Sequence, residues 1–206
     1  MDSRANGKPL RRTRLQQAAK DASRRRIIEA GKDVFDEYGY MQTAVEDIRV
    51  RAKVSRTTFY KHFAGKYELA EAIAEDLSLT TSVLLSPESD GIEELKGAIA
   101  TLFGKMRERP TLMRAFAELV AVEPSWFQHS LLGYGRSISH LAKRFPAFAR
   151  AEARRDADPQ LWLEACLTLR ELERTAFDCV IYNSYEYPDE ILITVLATRL
   201  HRFLND

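Results

Sequence analysis

The sequence predicts an all-α chain: an N-terminal three-helix module with helix-turn-helix spacing, followed by a larger helical bundle, about nine helices in all. Three observations lead there. Apolar residues recur at three- and four-residue spacings along most of the chain, the period of a helix with one buried face. Polar caps, prolines and glycines stand where those runs begin and end. No alternating apolar–polar runs pair up as strands, and no strand–helix alternation is present. Phe177–Tyr182 has the composition of a strand, but it lies inside a helical run and has no strand partner.

Met1–Ala19 contains Gly7 and Pro9 and no steady apolar period, so residues 1–21 read as a flexible basic arm, turning helical toward its end. From Ser23 the period changes. Ile27, Ile28, Gly31, Val34, Phe35 and Tyr38 form one stripe, with Arg26, Glu29, Lys32, Asp33, Asp36 and Glu37 opposite. Gly39 closes that helix as a C-cap. Thr43-Ala44-Val45-Glu46 reads as a capping box, Thr43 accepting from the Glu46 N–H and Glu46 reaching back. A short helix follows, with Val45, Ile48 and Ala52 inward, and it stops near Lys53. Ser55 caps another short helix, from Arg56 to His62 or Phe63. Two helices of under ten residues joined by a turn of about three have helix-turn-helix spacing.

A long helix is expected from Lys66 to Leu85, with Leu69, Ile73, Leu77 and Leu84 inward, until Ser86–Gly91 breaks it. Asp90 caps the next, whose stripe is Ile92, Leu95, Ile99, Leu102, Phe103 and Met106. Pro110 and Pro124 bracket a shorter helix. Ser125 starts another, running to about Phe145. Asp158-Pro159 is a cap with proline at the first helical position and opens a long helix to Tyr182. Asn183–Tyr187 is a turn, and Pro188-Asp189-Glu190 opens the last helix, to Leu204. The expected domains are therefore residues 22–67 and 68–206, after the arm.

The formal net charge of +1 conceals a split. Residues 1–67 hold 16 Lys+Arg and 8 Asp+Glu, whereas the remainder holds 15 and 22. A basic module for polyanions joined to an acidic body is the reading such asymmetry supports. No apolar run approaches the ~18–20 residues of a membrane span, and no apolar segment follows the basic N-terminus as in a secretory signal. Cys166 and Cys179 are too few for a disulfide framework, so a reducing cytoplasm is the expected location.

The helix Arg56–Phe63 has the make-up of a DNA-reading element. Phe59 and Phe63 are four apart and form an apolar back, joined by Val54 from the turn. Arg56, Thr57, Tyr60 and Lys61 remain in front, where base edges in the major groove are read by hydrogen bonds. The helix starts near Thr43 and Lys66 offer N–H groups to phosphates, and Arg24, Arg25 and Arg26 add backbone or minor-groove contacts.

These residues resemble the TetR family of bacterial transcriptional regulators. The resemblance is carried by Ile27-Ile28-x-Ala30, Phe35, Gly39-Tyr40, Thr43, Ile48, Ala52, Val54-Ser55, Thr58-Phe59-Tyr60, His62-Phe63, Lys66 and Leu69. It implies an N-terminal DNA-binding domain and a helical regulatory domain. It also implies a homodimer through the last two helices, a palindromic double-stranded DNA operator, and a repressor released by a small-molecule effector. By this likeness Thr43, Thr58, Tyr60, His62 and Lys66 contact mostly phosphates, and base reading falls on Arg56, Thr57 and Lys61. The sequence departs from the family at Lys53 and Thr57, where glycine is usual, and at Gly31, where alanine is.

In the C-terminal part, Phe103, Met106, Met113, Phe116, Trp126, Phe127, Tyr134, Trp162 and Phe177 form an aromatic- and Met-rich set. Part of it lines an effector cavity in this reading, suited to a hydrophobic or aromatic ligand. The helix 158–182 is apolar nearly all round. Leu169, Leu172, Ala176 and Val180, with Ile191, Val195, Leu196 and Leu200 of the last helix, are the expected dimer interface. His62, His129, His140 and His201 show no ligand spacing with each other or with the cysteines, so no metal is expected. No catalytic motif or cofactor fingerprint is present, so no enzyme and no cofactor are expected. The rival reading is a DNA-bound scaffold or nucleoid-associated protein whose C-terminal domain binds a protein partner.

Overall fold

A computed structural model of the chain describes residues 8–86, 91–123 and 125–205, with residues 8–13 and 127–132 described by backbone alone. The described residues form eleven helices: α1 Lys8–Gln42, α2 Val45–Ala52, α3 Arg56–Tyr60, α4 Lys66–Leu77, α5 Leu79–Leu85, α6 Ile92–Glu108, α7 Pro110–Val122, α8 Trp126–Leu141, α9 Pro146–Ala153, α10 Pro159–Tyr182 and α11 Asp189–Asn205. They divide into two compact units, one ending at Asp76 and one beginning at Leu77. Helix α4 therefore belongs with the N-terminal unit, whereas the sequence suggested that it opens the second domain.

The N-terminal unit is built on α1. Ile27, Ile28, Val34 and Phe35 are buried, as are Ile48 and Ala52 of α2, Phe59 of α3, and Leu69 and Ile73 of α4. Two residues leave the expected faces of α1. Tyr38 is half exposed, while Lys32 is buried to 8% exposure. Lys32 lies one turn beyond Ile28, at the edge of the stripe, and reaches Asp76 at 2.6 Å and Glu29 at 2.8 Å. Burial works against its charge, but the two carboxylates outweigh that and raise its pKa.

The arm expected over residues 1–21 is helical from Lys8 onward. After Pro9 this stretch holds Leu, Arg, Gln, Ala and Lys, all good helix formers, and Gln17 bonds Asp21 one turn on at 2.8 Å. Over residues 14–22 propensity extends the helix without a core to cover it, so apolar periodicity could not reveal it. At the other end Gly39 has φ 77 and ψ 172, a backbone conformation that interrupts α1 and favours glycine.

The α2 cap is shifted by one residue from the expected box. Ala44 is the N-cap, and the Asp47 carboxylate accepts from its N–H at 2.9 Å. Thr43 is buried, and its hydroxyl donates back to the Gly39 carbonyl at 2.6 Å. Glu46 is free of that task and pairs with Arg49. At the C-terminus of α2, Lys53 has φ 53, with the Lys53 and Val54 amides bonding the Val50 and Arg49 carbonyls. This is a Schellman closure, which prefers glycine at the left-handed position. An L-residue there costs about 1–2 kcal/mol, partly offset by the greater freedom of unfolded glycine. Lys53→Gly is accordingly expected to raise Tm in a thermal melt, by the equivalent of about 0.5–1 kcal/mol. A fall in Tm would mean that the lysine side chain itself stabilises the turn.

In the C-terminal unit, α10 packs against α5, α6, α7, α8, α9 and α11. Asp158 caps it as expected, accepting from the Leu161 N–H at 3.2 Å, and Asn183, the first residue of the expected turn, ends it at φ 49. Two features depart from expectation. The helix expected over Lys66–Leu85 breaks at Ser78, at φ 34, before the weak helix formers Thr80, Thr81 and Ser82. A further helix, α9, follows Pro146, its buried Ala147, Phe148 and Ala151 set in an alanine-rich run. Proline at its first position was the legible start signal. Gly91 takes the N-cap of α6; the Asp90 cap and Pro124 lie outside the described residues. No described helix is long and apolar enough to cross a membrane.

Candidate nucleic-acid interface

Helix α3 is short, so its orientation is set by what lies beneath and beside it. Ser55 accepts from the Thr58 N–H at 3.1 Å and shares a 2.9 Å hydroxyl contact with Thr58. Phe59 is fully buried and Phe63 nearly so, their rings 6.1 Å apart, with Val54 buried beside the turn. That anchoring leaves Arg56, Thr57, Tyr60 and Lys61 exposed together. Tyr60 stands edge-on to Phe59, and the Arg56 guanidinium lies 5.7 Å from the Tyr60 ring centre. The result is a rigid apolar base carrying two cations, a hydroxyl and a phenol on one outer face. Cations and hydroxyls of this kind are the groups that bond base edges and phosphates.

The flanking residues divide by their present duties. Lys66 donates to the Tyr40 carbonyl at 2.8 Å and the Thr43 carbonyl at 3.1 Å, with its ammonium 4.4 Å from the Tyr40 ring centre. It holds the α1–α2 connection, and two of its three N–H groups are committed there. His62 is half-buried, its Nε2 2.7 Å from the Ser23 hydroxyl. Burial, together with nearby Lys20 and Arg24, lowers its pKa and favours the neutral ring. Thr43 is turned inward, so its side chain frames the turn; the expected phosphate contact through its hydroxyl does not fit this geometry. Arg24 lies over Phe63 at 5.3 Å, while Arg25 and Arg26 are exposed beside it on α1.

The C-terminal unit redistributes the aromatic set. Phe103, Met106 and Met113 are buried core. Phe116 and Trp126 stack at 5.9 Å, and both keep some accessible surface, as do Tyr134 and Phe177. The Phe127 side chain lies outside the described residues, as does that of His129. Trp162 parts from the set: it walls an open groove of about 540 Å³ with Gly135, Arg136, Ser139, His140, Glu152 and Arg155. Arg155 covers its ring at 4.4 Å.

One functional candidate was missed. Glu173 accepts from the Tyr134 hydroxyl at 2.8 Å, and its pKa is pushed up by burial. The signal was present, since Glu173 lies one turn from both Leu169 and Phe177, on the apolar side of α10.

The expected dimer set also needs correction. Leu169, Leu172, Ala176, Leu196 and Leu200 are each 5% exposed or less within the single chain, because α10 and α11 spend those faces on their own unit. Val180 is half-buried. Ile191 and Val195 are about half exposed, and so are Leu163 and Leu167, which were not in the expected set. Arg199 and Glu171 pair at 3.0 Å between the two helices. Among the described residues no group of three His, Cys, Asp or Glu could hold a metal ion.

Buried aromatic anchors under an exposed basic face, reached through a tight turn, define a helix-turn-helix nucleic-acid-binding module joined to a helical body. Residues 27–73 match the family described as bacterial regulatory proteins, tetR family. The A-factor receptor protein of Streptomyces griseus is 38% identical over 71 residues, 34% of this chain and 25% of that protein. The HTH-type transcriptional regulator TcmR of Streptomyces glaucescens is 28% identical over 109 residues, 52% of this chain and 46% of that one. The chain thus matches less than half the length of these curated relatives. The solved structure of GusR from Salmonella enterica shares the fold at TM-score 0.58 and 23% identity, over 89% of this chain and 96% of that one.

Proposed function

We propose that this chain is a cytoplasmic, homodimeric repressor that binds a palindromic double-stranded operator and is released by a small apolar or aromatic effector. The observation that carries the DNA reading is the exposed group Arg56, Thr57, Tyr60 and Lys61, fixed over Phe59 and Phe63. Arg56, Thr57 and Lys61 read bases. Tyr60, Thr58, His62, Lys66 and Arg24–Arg26 position the phosphates. The DNA-binding domain begins near residue 22 and the effector and dimer domain follows the break at Ser78. Two-fold symmetry presents two copies of α3 to half-sites about 34–36 Å apart.

Selection of binding sites from random duplexes tests this directly. An inverted repeat of that spacing is the expected product; failure to enrich any sequence overturns the reading. With the selected duplex, Tyr60→Ala is expected to weaken binding to matched and mismatched sites alike, because phosphate contacts carry little sequence information. Arg56→Ala is expected to relax discrimination by about 1–3 kcal/mol at one base pair per half-site. Titrations against single-base variants of the duplex separate the two outcomes.

Dimerisation through α10 and α11 rests on the half-exposed Leu163, Leu167, Ile191 and Val195, apolar side chains left uncovered on both helices. A charge at Leu167 or Val195 is expected to yield folded monomers in sedimentation equilibrium and to weaken operator binding. Undisturbed dimers would move the interface elsewhere.

A further inference from the structure

We propose that Glu173 is the polar anchor of the effector site, selecting an apolar molecule that ends in a hydrogen-bond-donating head, an amine in preference to an alcohol. The proposal rests on reading the C-terminal unit as an effector domain and adds the chemical class of the effector. Glu173 projects from α10, the helix against which α5, α6, α7 and α8 all pack. Protein atoms surround its carboxyl almost completely, yet the residue keeps surface that a water-sized sphere can touch. That combination marks a side chain facing internal space.

The carboxyl is poorly compensated. The Tyr134 hydroxyl donates one hydrogen bond to Oε2 at 2.8 Å. Thr80 is 2% exposed, and its Oγ1 has no hydrogen-bond partner. Among the described residues no cation is paired with Glu173; Arg170, one turn earlier, acts on Tyr134. Burying a carboxylate without a charge partner costs several kcal/mol. One hydroxyl does not offset that. A protonated amine would supply the missing charge and up to three donors, whereas an anionic head would be repelled. Phe177, one turn further along α10, and the stacked Phe116 and Trp126 on helices of the same unit retain accessible surface for an apolar tail. A single carboxylate among aromatics thus refines the hydrophobic ligand expected from the sequence: its body is apolar, its head is a donor.

The test uses three molecules with one tail: 4-phenylbutylamine, 4-phenylbutan-1-ol and 4-phenylbutanoate, read as Tm shifts of the full-length chain. The amine is expected to raise Tm by several degrees at millimolar concentration, the alcohol by less, and the carboxylate not at all. Glu173→Gln is expected to abolish the preference for the amine over the alcohol. Glu173→Leu is expected to abolish both shifts, while the unliganded protein melts at or above the temperature of the original. Stabilisation by the carboxylate equal to that by the amine overturns the proposal, as does an unchanged order in Glu173→Gln. A strongly lowered Tm of unliganded Glu173→Leu overturns it too, by making Glu173 a structural group. No shift with either donor overturns it as well, and if site selection still yields an inverted repeat, the regulator reading survives.

Discussion

Phe59→Ala is expected to abolish operator binding by unfolding the reading surface, the largest effect foreseen for a single change in this chain. Phe59 is fully buried, with the Tyr60 ring edge-to-face at 5.4 Å and the Phe63 ring tilted at 6.1 Å. Removing a buried phenyl ring costs about 3–5 kcal/mol, the transfer of the ring plus the cavity left behind. Helix α3 has only five residues, far below the ~12–15 at which an isolated helix becomes marginal in water. It therefore has no independent stability and exists because Phe59 and Phe63 pin it. Circular dichroism and binding measured together check this. Loss of binding with the melting curve unchanged would mean that Phe59 acts on DNA contact and not on folding.

Gly31→Val is expected to produce the second-largest loss, about 1–3 kcal/mol from overpacking, with a further small penalty for a β-branched residue in a helix. A Cβ at Gly31 would sit 2.8 Å from Leu69 Cδ2, 2.9 Å from Ile73 Cδ1 and 3.2 Å from Leu69 Cγ. The two methyls can swing away from a lone Cβ, but the γ carbons of valine reach into the Leu69 stem. Gly31→Ala separates two effects, since about 1 kcal/mol of helix propensity opposes a milder clash. A Tm of Gly31→Val equal to the original would show that α4 can slide on α1 without loss. The glycine that stood in the sequence as a departure from the family's alanine is thus what permits close approach of two helices.

That reversal shows what one sequence could and could not reveal. Caps are local, and Ser55 and Asp158 stood where their chemistry put them. Stripes are local too, so the apolar sides of α1, α3 and α6 were legible. What covers an apolar stripe is not local. Leu169, Leu172 and Ala176 read equally well as a subunit interface and as core, and only packing assigns them to core. Lys32 read as solvated because nothing nearby in sequence announces Asp76, 44 residues away. Thr43 fits a capping box on spacing alone, but a stronger hydrogen bond to Gly39 claims its hydroxyl. Ser78 breaks a helix across which the apolar period runs undisturbed. At the candidate DNA surface the exposed residues of α3 were all legible, since short polar side chains opposite two phenylalanines leave little choice. Glu173 was overlooked because a lone acid within an apolar stripe carries no motif or spacing that announces it.

The exposed stretch of α1 from Arg14 to Arg26 has a consequence for how the molecule melts. From Arg14 to Arg26 all residues but Ser23 are exposed, and Lys20, Arg24, Arg25 and Arg26 crowd like charges along successive turns. Apart from the Ser23–His62 and Arg24–Phe63 contacts near its end, such a segment keeps its helicity on propensity and gains little from the cooperative collapse of the domain behind it. Its ellipticity should decline gradually with temperature, sloping the baseline well before the main transition, and added salt should flatten that slope by screening the repulsion. A two-state fit to the far-ultraviolet signal would then understate the enthalpy of the domain, while fluorescence of Trp126 and Trp162, both far along the chain, would be blind to the fraying.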